Sequence, residues 1–459
     1  MREPTRPTIP PLAGLATYAQ AARVGYSVDE TISLIRRYTY VERRLQELGA
    51  AFMNPTPEWE VKAALSLHMW LDAEHCHALR ARVAELRHPP LNLDTVPDAR
   101  LAALMDEALR ARDTLELLTG IYRVLRPALL HAYRTHLDET NPIFDHPTCR
   151  LLRIAVVEEE QMIAWGEQAI AALMHDHTTQ QRCQDWERHV QAYLQQAGGI
   201  SGRMAIPPDL VLPTPRAHAP FVPSFEPQRD DESNERHNFA SRYHSVYNDP
   251  AVDQDERVLA LMFKRLHEMD VPEVMASMLL ETTGKPWDYY REMTRQLWDE
   301  CRHALMGEIW FTAQAIDVRR YPNHVGWSLS LNLDMTPLER HLVLYGIEQG
   351  LMDGTRGKRY EWQLVKAADD RLATAIQDYD WADEVLHAQI GRRWLIPEAG
   401  DVKAVLAQAA QLMARASPSL DARAQLTPQI DWWPDFVRAV LGTGKADAER
   451  ALAQRTNDR

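Results

Sequence analysis

Cysteine is scarce in this chain. Four residues, at 76, 149, 183 and 301, are spread over 459 without CxxC spacing, which excludes a disulfide framework and fits free thiols in a reducing cytosol. Basic charge is also short, at 51 Lys and Arg against 65 Asp and Glu for a net −14. A sequence-independent grip on nucleic acid or an anionic membrane needs clustered cations, so neither is expected as a partner. No run of about 18 uncharged apolar residues occurs, and Met1–Pro7 lacks the apolar core of a signal peptide. Flavin, haem and iron–sulfur motifs are missing, and alternating β-branched runs are absent. The expectation is a soluble, cytoplasmic, all-α protein.

What is present is helical periodicity. At 45% hydrophobic and this length, the chain exceeds what one core serves, so more than one domain is expected. After a proline-containing arm at 1–28, apolar residues at three- and four-residue steps mark helices over 29–53, 57–86, 98–138 and 147–174. Seven of the 21 residues from Pro207 to Pro227 are proline, which cannot be helix interior and predicts an extended linker. Helices resume over 256–283, with Pro272 as a kink or restart, and over 287–316. Residues 318–335 read as loop. Thr336-Pro337 is an N-cap followed by a first-turn proline for a helix to Leu351, and Asp353–Gly357 interrupts before 358–368. Asp369 or Asp370 caps a helix to about Leu395, which Pro397 should stop, and 400–416 and 434–455 follow. The expected division is 1–28 arm, 29–198 first helical bundle, 199–235 linker, 236–397 second bundle and 398–459 helical extension.

The second half carries a repeated motif. Asp-Glu-Cys-Arg-His at 299–303 and Asp-Glu-Val-Leu-His at 383–387 each place a Glu and a His three apart on a helix, where both side chains share one face. Glu300 with His303, and Glu384 with His387, are therefore metal half-sites. Roughly one such pair is expected by chance, yet a third stands at Glu74/His77. Apolar neighbours, Leu297, Trp298, Ala304 and Leu305 for one pair and Trp381, Val385, Ala388 and Ile390 for the other, turn the carboxylates inward. Glu348, 36 residues before Glu384, supplies a third helix. Glu273 supplies the first, being thirteen residues before Pro286 as Glu42 is before Pro55, with Glu268 the alternative. Buried carboxylates at about 4 Å repel by roughly 4 kcal/mol even at an effective dielectric near 20, so a cation is required. Tyr345, one turn before Glu348, reads as a core residue, and Gly346 and Gly350 as sites of close helix packing or of space near Glu348.

The first half looks like a worn copy. Aligning Glu74/His77 with Glu300/His303 and Glu159 with Glu384 places Met162 where His387 stands, Arg123 where Glu348 stands, and Gly166 on Gly391. An arginine among buried carboxylates neutralises them as a cation would, so this half is expected to be a metal-free structural copy, with a single-metal site as the alternative.

Residues 270–395 resemble the ferritin-like superfamily of di-iron carboxylate proteins, in particular its oxygen-activating members, whose signature is Glu, Glu-x-x-His, Glu, Glu-x-x-His on four successive helices. The Asp-Glu-x-Arg-His form at 299–303 is also found in bacterial di-iron monooxygenases. The likeness covers about a quarter of the chain well and the first half loosely. It implies two tandem ferritin-like four-helix bundles joined by a Pro-rich linker, with C-terminal extra helices. It further implies two iron ions, or manganese, on Glu273, Glu300, His303, Glu348, Glu384 and His387, with Asp299 and Asp383 hydrogen-bonding the histidine of the opposite helix. The implied activity is oxidation of a small organic substrate with an external electron donor, in a chain that could form a homodimer. The alternative is a non-catalytic metal-binding or scaffold protein.

Overall fold

The computed structural model describes residues 9–442, apart from 88, 90, 231–234, 241–242, 353–355 and 416. The start of the arm, the interruption at Asp353–Thr355 and the end of the last expected helix lie outside the described residues. Among those described every regular element is helical and no strand occurs, and no helix is long and apolar enough to cross a membrane. The chain forms two compact units. The first comprises residues 1–48 and 71–222, and the second 49–70 and 223–459.

Helices α1 (Val28–Met53) and α2 (Trp59–Leu86) contribute to both units. The expected 98–138 helix is instead α3 (Ala99–Ala108), α4 (Thr114–Thr119), a π-helical stretch at Gly120–Leu125 and α5 (Arg126–Glu139). The break has a local cause. Asp113 caps α4 by accepting from the Glu116 amide, and the Glu116 carboxylate in turn accepts from the Arg112 amide, so the chain restarts rather than continues. Helix α6 (His146–Leu173) follows. An unforeseen α7 (His177–Gln196), capped by Asp176, buries Trp186 and packs on α3 and the π-helical stretch.

No helix occurs between Pro207 and Pro227. This stretch is nevertheless docked: Arg216 pairs with the buried Glu116 of the first unit at 2.5 Å, and two residues beyond its end Arg229 pairs with Asp270 of the second at 2.8 Å.

In the second unit α8 (Gln254–Leu266) and α9 (Asp270–Glu281) are separated by a 3-10 turn at His267–Met269. They are followed by α10 (Trp287–Ala313), α11 (Gly326–Asp334), α12 (Pro337–Leu351), α13 (Lys358–Ala367), α14 (Arg371–Ala399) and α15 (Val402–Arg415). Thr336 forms a complete capping box with Glu339, and Asp370 caps α14. Two expectations fail here. Residues 326–334 are helix rather than loop because Leu329 and Leu331 are buried as α11 packs on α9. Pro397 lies inside α14, whose end is Gly400 at φ +107°, since a proline removes only a bond that the final turn can lose.

Helices α9, α10, α14 and α12 pack each on the next, and α12 closes back on α9, so the four enclose one centre. Their approach is set by glycine. A Cβ at Gly307 of α10 would stand 2.3 Å from the Leu266 backbone nitrogen of α8, and one at Gly391 of α14 would stand 2.3 Å from the Tyr345 ring of α12. The Gly307 neighbour is backbone and cannot rotate away, so Gly307→Ala is expected to destabilise by about 1–3 kcal/mol. A lowered urea midpoint with unchanged slope is the measurement; an unchanged midpoint would mean that α8 and α10 can part at no cost.

Candidate metal centre

Within this ring of helices, Glu300 of α10, Glu348 of α12, and Glu384 and His387 of α14 each bring one donor atom within 4.8 Å of the others. All four side chains are buried. Glu300 Oε1, Glu348 Oε2, Glu384 Oε2 and His387 Nδ1 make no aligned hydrogen bond, although His387 Nδ1 lies 3.0 Å from Glu300 Oε1. One orphaned donor from each of four residues, converging on one point, is what a cation binder presents and what a core otherwise avoids. Three carboxylates and an imidazole suit iron or manganese. These buried groups could hold a metal ion. A second group, Glu268, His303 and Asp380, adjoins it; His303 Nδ1 is 3.5 Å from both Glu268 Oε2 and Glu300 Oε2.

Glu273 does not join either group. It accepts from Lys62 at 2.5 Å, from Arg229, and from the Ser328 hydroxyl at 2.8 Å, so its oxygens are already saturated by cations. Five residues of helix rotate a side chain by about 140° from its starting direction, and Glu268, in the 3-10 turn, is the one that faces His303. Counting back from Pro286 gives a distance along the chain but not the helical phase, which the 3-10 turn at His267–Met269 resets. The pocket lined by Trp59, Lys62, Arg229, Glu308 and Arg319 is accordingly on the Glu273 side.

Asp383 Oδ2 lies 3.2 Å from His303 Nε2, and Asp299 Oδ2 lies 3.5 Å from His387 Nε2. Each aspartate is thus beside the histidine of the other helix. Tyr345 is buried and its hydroxyl donates to Gln349 at 3.4 Å. Gly346 lets α12 meet Ala409 of α15, a Cβ there standing 2.6 Å from the Ala409 Cβ, whereas Gly350 has nothing within 4 Å.

Two cations that sequence reasoning missed complete the site. Lys358 Nζ is 2.7 Å from Glu384 Oε1 and 2.8 and 2.9 Å from the two Asp380 oxygens. Arg265 contacts Asp380 and lies 2.6 Å from Glu268 Oε1. All of Lys358, Arg265 and Asp380 are fully buried. Burial and the repulsion of Glu384 and Glu300 push the Glu348 carboxyl well above the usual range. Burial works against the Glu384 charge too, but Lys358, with the nearby Glu348 and His387, holds that carboxyl well below it. Burial disfavours charge on His303 and His387, yet the surrounding carboxylates raise both well above an ordinary imidazole. Protons therefore stand in for cationic charge, and a bound metal would displace them.

The first unit holds a comparable cluster, entered by cationic side chains, that could also hold a metal ion. Its cluster is Glu42, Asp72, His75 and Glu159. Arg126 donates to both oxygens of Asp72 and to Glu159 Oε1, all at 2.9 Å. His75 bridges Glu42 at 3.2 Å and Glu158 at 2.6 Å, and Tyr133 donates to Glu42 at 2.5 Å. The expected Glu74 and His77 are only half-buried and outside the cluster, and Arg123 pairs with Glu167 instead. Asp72-x-x-His75 has the same i, i+3 spacing and was missed because only glutamate was sought. The π-helical stretch shifts register so that Arg126 faces inward. Met162 is buried, and a Cβ at Gly166 would meet Tyr122 at 2.1 Å, as Gly391 would meet Tyr345.

Two predictions follow from this contrast in compensation. Glu273→Ala strands Lys62 and Arg229 in the core and is expected to cost about 3–5 kcal/mol while leaving metal content unchanged, whereas Glu348→Ala removes a donor and lowers it; elemental analysis of both purified variants decides. In the first unit burial, opposed by Arg126, pushes Asp72 up to about 7 and Glu159 up to about 8. The folded state therefore retains protons that the unfolded chain releases near pH 4, so this stability is present at low pH and lost as pH rises through about 8. Glu159→Gln, which cannot ionise, should shrink the fall in urea midpoint between pH 5.5 and 8.5, and an equal fall in both proteins would refute the assignment. No family model, no curated protein and no solved structure matches this chain.

Proposed function

We propose that the chain is an oxygen-activating oxidase or oxygenase that acts on a small organic substrate through iron, or secondarily manganese, held by Glu300, Glu348, Glu384 and His387 in a ferritin-like helical frame. The observation that carries this reading is the convergence of four orphaned, buried donor atoms on one point. We further infer that the two units are tandem copies of one ferritin-like bundle. The matched glycine–tyrosine contacts, Gly166 with Tyr122 and Gly391 with Tyr345, support that relation, as do the carboxylate–histidine clusters in both units.

A bound iron supplies the one-electron redox chemistry that oxygen requires. The chain supplies the rest. Asp299 and Asp383 fix the orientation of the imidazoles. Burial of every donor excludes water from the reacting centre. Gln296 Nε2, 3.4 Å from Glu348 Oε1, steadies a carboxylate that no lysine or arginine is seen to pair with among the described residues. Electrons come from an external donor or from the substrate itself.

The first unit supports a competing reading, since Arg126 and His75 pair with the carboxylates of a similar cluster. A scaffold with a relic site is therefore the alternative. Oxygen uptake by anaerobically reduced, iron-loaded protein, with and without a small-molecule cell extract, distinguishes them. Uptake that falls at least about 100-fold in Glu300→Ala and His387→Ala is expected. Iron-loaded protein inert to oxygen under both conditions would establish the scaffold reading.

A further inference from the structure

The resemblance of residues 270–395 calls for two metal ions, yet the two donor groups are not alike. Every donor of the Glu300–Glu348–Glu384–His387 group retains a free atom. In the neighbouring Glu268–His303–Asp380 group Glu268 Oε2 and His303 Nδ1 are likewise unbonded, but Asp380 Oδ1 already accepts from Lys358 at 2.8 Å and from Arg265, Asp380 Oδ2 accepts from Lys358 at 2.9 Å, and Glu268 Oε1 is held by Arg265 at 2.6 Å. Lys358 also takes Glu384 Oε1, leaving Oε2 to the first group. From this geometry we infer that the centre binds a single metal ion, on Glu300, Glu348, Glu384 and His387, and that the Lys358 ammonium, backed by Arg265, occupies the second cation's place. The inference rests on the metal reading proposed above.

The position of Lys358 is itself informative. It is the first residue of α13, after an N-cap, Gly357, that offers no side-chain cap. A cation at a helix N-terminus opposes the helix dipole, so its placement is explained by the carboxylates it meets and not by the helix.

The test is a metal titration of the full chain. Metal-stripped protein is titrated with Mn2+, and with Fe2+ under anaerobic conditions; bound equivalents are counted by elemental analysis and the Mn2+ spectrum is recorded by electron paramagnetic resonance. One equivalent per chain, with the six-line pattern of an isolated ion, is expected. Two equivalents with an exchange-coupled spectrum would overturn the single-ion inference and leave the metal reading standing, while no binding by the folded chain would overturn both. Lys358→Met is expected to raise the count to two, and a count of one would deny Lys358 its assigned role. Should that variant not fold, Glu268→Gln serves instead: it touches only the second position, so the count stays at one with affinity within about threefold, whereas loss of an equivalent would mean that this position holds metal.

Discussion

Both units bury more carboxylate than a protein interior tolerates, and the neutralisation of that charge is the constraint on which the rest depends. Carboxylates confined within 4.8 Å of one another repel by roughly 3–4 kcal/mol per ionised pair at an effective dielectric near 20. The repulsion ends only if protons, side-chain cations or metal ions enter. In the first unit Arg126 and His75 pair with the clustered carboxylates. In the second, Lys358 and Arg265 engage one side of the cluster and leave four donors of the other side without aligned partners.

Holding such a cluster together requires helices that cannot relax apart. Gly307 allows the α10 backbone to reach that of α8, and Gly391 receives the ring of Tyr345. These contacts keep α10 and α14 in the register that points Glu300 and Glu384 at each other. Glu273, clamped by Lys62 and Arg229, anchors α9 at a distance from the cluster. It performs in ordinary ion pairing the cohesive work that the central carboxylates cannot perform for themselves.

Much of this was legible in the sequence, and the omissions have physical reasons. Helix spans such as 29–53 and 147–174 carry strong periodicity, and caps such as Thr336-Pro337 act within four residues, so local reasoning reaches them. The spacing of Glu300 with His303, and of Glu384 with His387, similarly predicts a shared face, and their donors do share one. Glu268 could not be separated from Glu273 because a single 3-10 turn decides which side of the helix pair faces the centre. The π-helical stretch at 120–125 likewise displaced Arg123 in favour of Arg126. Lys358 escaped notice because a lysine opening a helix reads as solvated surface until the fold brings Asp380 and Glu384 over it.

The geometry also shows why an aspartate precedes each of Glu300 and Glu384. One residue earlier on a helix is about 100° around the axis, so Asp299 and Asp383 leave the ligand face and meet the neighbouring helix. There Arg302 contacts Asp299 and lies 2.7 Å from Asp383 Oδ2, while Arg295 holds Asp299 at 2.8 Å. A single guanidinium thus joins the two carboxylates that lie against His387 and His303. Because hydrogen bonds between charged groups are the stronger kind and a guanidinium is planar, the two imidazoles share one support. Arg302 comes from the Asp-Glu-Cys-Arg-His segment itself, so the short motif carries the candidate donor Glu300, the brace for the opposite imidazole, and the tie between the two braces.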